Sequence, residues 1–545
     1  MKKTFKIFTA LLLLSLTQIS CNKSVLDENP PNIIVADNLY INYEGFQNGL
    51  NGLYNQVRRC RGGVTLSSPT NDLMFEINSI GVDNGYGNFS STPEQIYNGW
   101  GALNNAGYNG YSQIWAYLYE TINSANTIVD RANVCAALNA TQKSQIMAEA
   151  RCIRAWAYRH LTYLWGDVPL TLHESTGSNI RTDWARTPVA TVRAAMLNDW
   201  LYGDQNLPVT NTVDGRVLQG TVDHFLAETY LAINKPDSAK FYATKVTTNP
   251  SYALVSNRYG VNATQPGTPF TDMFLDGNSN RNQGNTEALW TMEYAYNVNG
   301  GDGYNIMRRY WVNRYSTISV SGKTPIILSA ADGGRGIGRL APTGFALSLY
   351  TPNKDDRGGN FAYRYYWLIN NPASIPTGKK LGDTIFLNKP AVGSEKINNA
   401  LWPNPTKWDY VVPGDLTFAI STSYNNQFLI RSAETYLLLA EADLSLGDLN
   451  GAATAINALR TRAHAALVTP AQITVDFILD ERSRELFSEE DRRYTLLRTG
   501  TWLRRTQAYN TVAGPVITVR DQLLPIPQDV INANLTAVFP QNPGY

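Results

Sequence analysis

Three stretches of the chain place apolar side chains at alternating steps of three and four residues, the mark of a helix with one buried face. They run from about Tyr43 to Arg59, from Ser112 to Ala132 and from Thr141 to Trp165. In the third, Ile146, Ala150, Ile153, Ala157, Leu161 and Leu164 form one stripe, and Gly166 and Pro169 end it. Two later segments match each other at a fixed offset. Leu226-Ala227, Leu231, Ala239, Ala243 and Val246 carry the same spacing as Leu439-Ala440, Leu444, Ala452, Ile456 and Leu459. A turn divides each into halves, Asn234 to Asp237 in one and Gly447-Asp448 in the other. Small residues at Ala227/Ala239 and Ala440/Ala452 would let two helices cross closely, which is the tetratricopeptide layout. One such pair cannot bury its own apolar face, so several must stack.

Between about residues 249 and 426 the long stripes vanish, and Gly, Pro, Asn and aromatic residues dominate. That is the pattern of loops and short strands laid over a scaffold. Its many rings argue against disorder, which goes with few aromatics. The expected architecture is therefore mainly α: a tetratricopeptide-like scaffold of helix pairs over about 40–248 and 427–500, carrying a loop-rich insertion over about 249–426 that forms the ligand face.

The N-terminus has another character. Lys2, Lys3 and Lys6 precede an apolar run from Ile7 to Leu16, then a short polar stretch leads to Cys21. This is the layout of a secretory signal over residues 1–20. The run is far shorter than the roughly 20 residues that span a bilayer. Ser20 directly before Cys21 looks like the lipobox of bacterial lipoproteins, although Gln18 stands where Leu is usual. Cys21 is thus the expected lipidation site, and two or more acyl chains there would anchor the protein firmly.

Composition narrows the function. The 46 basic side chains, less those three lysines, leave 43 against 45 acids, about −2, so no basic excess exists to bind nucleic acid. Cys60, Cys135 and Cys152 have no metal-ligand or redox spacing and read as inert thiols. Tyr and Trp, at 31 and 12, far outnumber the 17 Phe, so many rings carry a polar handle suited to wet binding faces. Asp276 to Glu287 partly mimics a calcium loop, but Arg281 replaces the turn glycine, and a plain polar turn is expected. Gly334, Gly336 and Gly338 lack the strand and helix of a dinucleotide site. Glu481 and Glu485, four apart, suggest a solvated or paired helix face. His160, His173, His224 and His464 form no ligand motif. No cofactor and no metal is expected.

Nearly the whole chain resembles the SusD/RagB nutrient-binding outer-membrane lipoproteins of Bacteroidetes. The matching elements are Cys21 with Leu26-Asp27-Glu28-Asn29-Pro30, Gly52-Leu53-Tyr54, Ala125-Asn126-Thr127-Ile128 and the run EARCIRAWAYRHLTYLWGDVPL from Glu149. They continue with Arg431-Ser432-Ala433-Glu434 and LLLAEA, Glu481-Arg482, Glu485-Leu486, LPIPQDVINAN and the terminal QNPGY. Glu490-Asp491-Arg492-Arg493 and Arg498-Thr499-Gly500 depart from the family's Glu-Gly-x-Arg and Arg-Trp-Gly, which touches local packing more than function. The resemblance implies a non-catalytic lipoprotein at the cell surface. Its expected partner is a SusC-like TonB-dependent transporter, to which it hands a nutrient, most often an oligosaccharide.

A sugar ring packs its C–H groups on an aromatic face while its hydroxyls need amides, carboxylates or guanidinium groups. Two stretches offer both. The first supplies Asp72, Tyr86 and Trp100, and the second Tyr296, Tyr304, Arg308 and Trp311, as expected ligand-binding residues. Trp100, Tyr296, Tyr304 and Trp311 rank first because Gly, Asn or Asp neighbours argue for loops. Other function classes are a peptide-binding member of the same family, a protein-interaction scaffold and an α-helical glycoside hydrolase, the last needing two carboxyls across a cleft.

Overall fold

The computed structural model describes residues 35–62, 73–177, 179–298, 301, 305–351, 354–387, 389–399 and 402–545. Cys21 and the expected leader over residues 1–20 lie outside them. The periodic stripes fold as expected into α1 (Tyr43–Arg58), α2 (Asn109–Val134) and α3 (Ala140–Trp165). These are followed by α4 (Val189–Asn206), α5 (Gln219–Ala232) and α6 (Pro236–Thr247). After the insertion come α7 (Ser432–Ser445), α8 (Leu449–Arg462), α9 (Val475–Leu486) and α10 (Trp502–Tyr509).

Local chemistry sets the ends of these helices. Asn139 caps α3 by accepting from the Gln142 amide at 2.9 Å, and Gln142 reaches back to the Asn139 amide at 3.1 Å. Gly166 ends α3 with φ of 75°, a left-handed conformation that favours glycine. Pro236 starts α6 where its missing N–H costs nothing, and the Asp448 side chain caps α8.

The stripes face inward. Ile146, Ala150, Ile153, Ala157, Leu161 and Leu164 of α3 are all buried, and each large one contributes about 1.5–3 kcal/mol by leaving water. Helices α2 and α3 pack as a pair, α3 packs on α4, α5 on α6, and α7 on α8. Ala227, Ala239, Ala440 and Ala452 are fully buried at the expected close crossings. Helix α6 lies against α7, where Ala227, Ala243 and Leu438 form one cluster, so the two matching hairpins stack on each other although about 180 residues separate them. No helix among the described residues is long and apolar enough to cross a membrane.

Between α6 and α7 the chain forms loops and short strands, which pair antiparallel with one another, with an earlier strand between α1 and α2, or across to the strand that leads into α7. These are β1 (Gly85–Gly87) with β3 (Leu340–Pro342), β2 (Ala288–Met292) with β8 (Gln427–Arg431), β4 (Tyr363–Arg364) with β7 (Asn404–Pro405), and β5 (Tyr366–Leu368) with β6 (Thr384–Phe386). The β2–β8 pair joins insertion to scaffold. Trp290 of β2 is wedged edge-on against the rings of Tyr54, Trp156 and Phe225, and β8 runs directly into α7.

A buried ion network reinforces that joint. Arg431 reaches Glu485 at 2.6 Å, Glu489 at 2.8 Å and Glu287 at 3.1 Å. Arg462 pairs with Glu287 at 2.6 Å and also with Glu485, while Arg357 of the insertion meets Glu481 at 2.9 Å and Glu485 at 3.2 Å. Of the two faces considered for Glu481 and Glu485, solvated or paired, the structure has the paired one, and both side chains are fully buried. The opposing arginines hold the Glu481 and Glu485 carboxyls below the usual range against a burial effect that acts the other way.

The departures from the family pattern also sit in packing. Arg492 pairs with Asp83 at 2.7 Å and Glu490 at 2.9 Å, and the Arg493 guanidinium lies 4.8 Å from the Trp100 ring and 4.4 Å from the Trp502 ring. Cys60, Cys135 and Cys152 are free thiols, and burial pushes Cys60 up to about 12, which leaves it unreactive.

Candidate functional site

The expected ligand residues separate on folding. Asp72 and Tyr304 lie outside the described residues. Trp100 and Trp311 are core rings and not ligand rings: Trp100 is 0% exposed and packs edge-on to Trp502, and Trp311 is 1% exposed with its ring 5.0 Å from Phe487. The neighbours of Trp100 did mark irregular backbone, since it ends a short helix with φ of 36°, whereas Trp311 is not in a loop but closes the short helix Met307–Trp311. Both rings turn inward, because each indole removes more apolar area from water than any neighbour can. Tyr86 is also a core residue, packed with Ala341 and Trp402, its hydroxyl donating to the Lys396 carbonyl at 3.3 Å. Arg308 is 1% exposed, and its guanidinium donates to the carbonyls of Ile420, Thr422 and Gly333. Burial lowers it to about 10. It supports a loop and offers nothing outward. Among the expected residues that are described, only Tyr296 has a large exposed face, at 42%.

Tyr296 belongs to a tyrosine shelf. Its ring meets Tyr424 edge-on at 4.9 Å, and the loop carrying Tyr424 returns past Tyr410, whose ring lies 5.9 Å from the Arg308 guanidinium. Burial, and next the nearby Asp276, push Tyr410 up to about 12. The bridge between Asn305 and Ser423 ties the two loops of the shelf together.

Next to the shelf along the chain at Leu275 and Asp409, a cleft of about 310 Å³ opens in the insertion, within the range of small-ligand sites. One wall is the turn at Asn360 and Phe361. The β4–β7 ladder and the hydrogen bonds from the Thr406 amide to the Ala362 carbonyl and from the Thr406 hydroxyl to the Phe361 carbonyl hold this turn outward. Phe361 is 48% exposed. Both terminal nitrogens of Arg364, on β4, grip Asp409 at 2.7 and 2.6 Å. Burial raises the Asp409 carboxyl against that pairing.

The opposite wall is a loop closed by Arg258, which donates to Asp272 at 2.5 Å and to the carbonyls of Gln265 and Asn262 at 2.8 and 2.9 Å. Asn262 adopts φ of 61°, a conformation Asn tolerates. Behind it the buried Asn278 amide accepts from the Val261 amide and donates to the Asp272 carbonyl. The segment resembling a calcium loop therefore folds as a polar turn, with Asn278 bracing the cleft and Glu287 committed to arginines. The side-chain amides of Asn262, Gln265 and Asn360 make no hydrogen bond within the described chain. An exposed ring beside three free amides and two neutralised ion pairs is what a hydroxyl-rich ring would meet in complement.

Sequence reasoning missed this cleft. The signal was present: Phe361 follows Gly358-Gly359-Asn360 and meets the same neighbour criterion applied to Trp100 and Trp311. Arg258 and Asp272, distant from Arg364 and Asp409 in the chain, carry no local pattern.

A larger cleft of about 720 Å³ lies on the scaffold, lined by Trp115, Tyr119, Leu170, Leu172, Trp184 and Phe539. Its amides are already committed: Asn123 accepts from the Ser175 amide, Asn179 from the Thr176 amide, and Asn534 bonds both ways with the Trp184 backbone. It presents apolar surface with few unsatisfied polar partners. Among the described residues, His224, Glu228 and Glu434 come together as metal ligands might, but Arg159 holds both oxygens of Glu228 at 2.6 and 2.8 Å and Arg482 holds Glu434. That grouping is an ion-pair centre.

Fold and cleft together define a helical-repeat scaffold that carries a loop-rich insertion with a cleft in it. The comparisons give the class its family. The SusD family model matches residues 286–545, and a second, described as starch-binding associating with outer membrane, matches residues 67–231. Two SusD-like proteins of Formosa agariphila are 26% identical over 72% of this chain and 71% of theirs, and 25% identical over the full length of both. Among solved structures, a SusD homologue from Bacteroides thetaiotaomicron superposes with a TM-score of 0.70 at 19% identity, covering 94% of this chain and 98% of that one. A laminarin-binding SusD-like protein gives 0.69 at 20% identity, covering 92% and 100%. The chain belongs to the SusD/RagB family.

Proposed function

We propose that the protein captures oligosaccharide or polysaccharide at the cell surface, moored through acyl chains on Cys21, and delivers it to a SusC-like TonB-dependent transporter in the outer membrane. The observation that carries the reading is the cleft of the insertion, where the half-exposed Phe361 ring stands beside the free amides of Asn262, Gln265 and Asn360 and next to the Tyr296/Tyr424 shelf. Such a face binds without doing chemistry. Both carboxylates lining it, Asp272 and Asp409, are clamped by guanidinium groups, whereas glycoside hydrolysis needs one carboxyl free to give up a proton. Names among similar structures support the substrate class: one is a laminarin-binding protein, and others are surface glycan-binding proteins of Bacteroides uniformis and Bacteroides fluxus.

The test is affinity electrophoresis of the mature protein through gels containing one polysaccharide each, run beside Phe361→Ala. At least one polysaccharide should retard the protein, remain uncut after long incubation, and lose about 1–3 kcal/mol of binding when the ring is removed. Retardation by no glycan, with binding to peptides instead, would move the protein to the peptide-binding reading.

A further inference from the structure

We infer that this face selects neutral, hydroxyl-rich glycans and turns away those bearing uronate or sulfate groups. The inference rests on the capture reading and adds the charge of the ligand. Recognition of an anion needs an uncommitted cation aimed into the site, since Arg is enriched at carboxylate and phosphate sites through its paired N–H groups. The face has three arginines, and each is engaged. Arg364 spends both terminal nitrogens on the two oxygens of Asp409. Arg258 divides its donors between Asp272 and two loop carbonyls. Arg308 is buried beneath the shelf and donates to three carbonyls, and burial lowers its pKa.

The acids balance these cations. Asp272 and Asp409 neutralise Arg258 and Arg364, and Asp276, near Tyr410, has no cationic partner among the described residues. On the rim, Arg335 donates to the Ala419 carbonyl, and Asp415 accepts from the Ile420 amide, adding one charge of each sign. At the cleft and beneath the shelf an incoming sulfate or carboxylate would therefore meet paired guanidinium groups and an unpaired aspartate, and could gain a cation there only by taking one from its present partner, while on the rim the charge of the exposed Arg335 is offset by that of Asp415. A neutral hydroxyl faces no such exchange. A carboxylate oxygen already bonded to arginine still has a lone pair for a hydroxyl proton, and the free amides of Asn262, Gln265 and Asn360 supply both donors and acceptors.

The experiment measures binding by the purified protein and by Phe361→Ala and Asn360→Ala to two sets of oligosaccharides. The neutral set comes from laminarin, starch and galactomannan, and the anionic set from alginate, polygalacturonate and carrageenan. Each is titrated at about 0.01 M and about 1 M NaCl, between which the screening length falls from about 30 Å to about 3 Å. The expected result is a neutral ligand whose affinity changes less than about two-fold with salt and drops about ten-fold in Phe361→Ala, with every anionic ligand at least about ten-fold weaker. An anionic ligand bound more tightly than any neutral one, released by salt and weakened by Phe361→Ala, overturns the selection for neutral glycans but keeps capture at this cleft. If neither variant alters binding of any glycan in either set, capture at this cleft falls, and the inference falls with it.

Discussion

The molecule uses guanidinium–carboxylate pairs in two regions for opposite ends. At the joint between scaffold and insertion, Arg431, Arg462 and Arg357 converge on Glu485, and all four side chains are sealed from water. In the cleft, Arg364 grips Asp409 with comparable geometry, but side chains of both stay partly open, at 16% and 24%. Chemical identity is the same, and only burial differs. The sealed network can serve the fold alone, because no ligand can reach it. The open pair keeps lone pairs facing solvent, where a ligand hydroxyl can use them. A charged pair is therefore a binding element only where the backbone leaves it at a rim.

The largest effect should come from breaking the sealed side. Glu485→Ala leaves three buried arginines short of a partner, and removing one member of a buried pair costs about 3–5 kcal/mol. Urea unfolding should show that loss as a lower midpoint with an unchanged slope. Asp409→Asn in the cleft should cost no more than about 1 kcal/mol, as expected for a partly solvated pair. Equal losses at the two positions would erase the distinction between the regions.

A second effect separates the regions by pH. Burial pushes His224 down to about 3, so the folded scaffold holds it neutral, whereas in the unfolded chain it titrates near 6.5. Its folded pKa lies below its unfolded one, so protons favour the unfolded chain, and stability drains away as pH falls from about 6.5 towards 3. Glu434 beside it runs the other way: burial lifts it to about 7, so the fold gains as pH drops from about 7 towards the usual carboxyl range. Replacing His224 removes only the first contribution. His224→Gln should therefore gain about 2 kcal/mol relative to the unaltered chain between pH 7 and pH 5, measured as the difference in unfolding free energies. No gain would mean that His224 is already protonated in the fold. The cleft, which contains no histidine, should bind glycan equally well across that interval.

The scaffold was legible for a physical reason. Helix stripes are local, so Ile146 to Leu164 and the matched alanines of the two hairpins announce their faces within a few turns, and close crossing at Ala227 and Ala440 follows from side-chain size. The cleft was not legible because its walls meet only through tertiary pairing: Arg258 and Asp272 on one loop, Phe361, Arg364 and Asp409 on strands that the β4–β7 ladder brings across. Loop signals around Trp100 correctly indicated irregular backbone, those around Trp311 did not, since it closes the short helix Met307–Trp311, and neither said which way a ring points. The indoles of Trp100 and Trp311 turned into the core, and the hydroxyl-bearing Tyr296 stayed at the surface.

The smallest expected effect tests the shelf itself. Tyr296 meets Tyr424 edge-on at 4.9 Å and an interplanar angle of 67°, so one ring fixes the pose of the other while its own outer face stays open. Such a contact between aromatic rings is worth about 0.5–1.5 kcal/mol, and a substitution at a ring this exposed changes stability by no more than about 0.5 kcal/mol. Tyr296→Ala should therefore weaken glycan binding by about 1 kcal/mol, read by titration calorimetry, with the thermal midpoint almost unmoved. Tyr296→Phe keeps the ring and removes the hydroxyl, so it should bind like the unaltered chain if the ring face does the work. If Tyr296→Phe loses as much as Tyr296→Ala, the shelf acts through its hydroxyl and belongs with the hydrogen-bonding amides of the cleft, and Phe361 alone supplies the stacking surface.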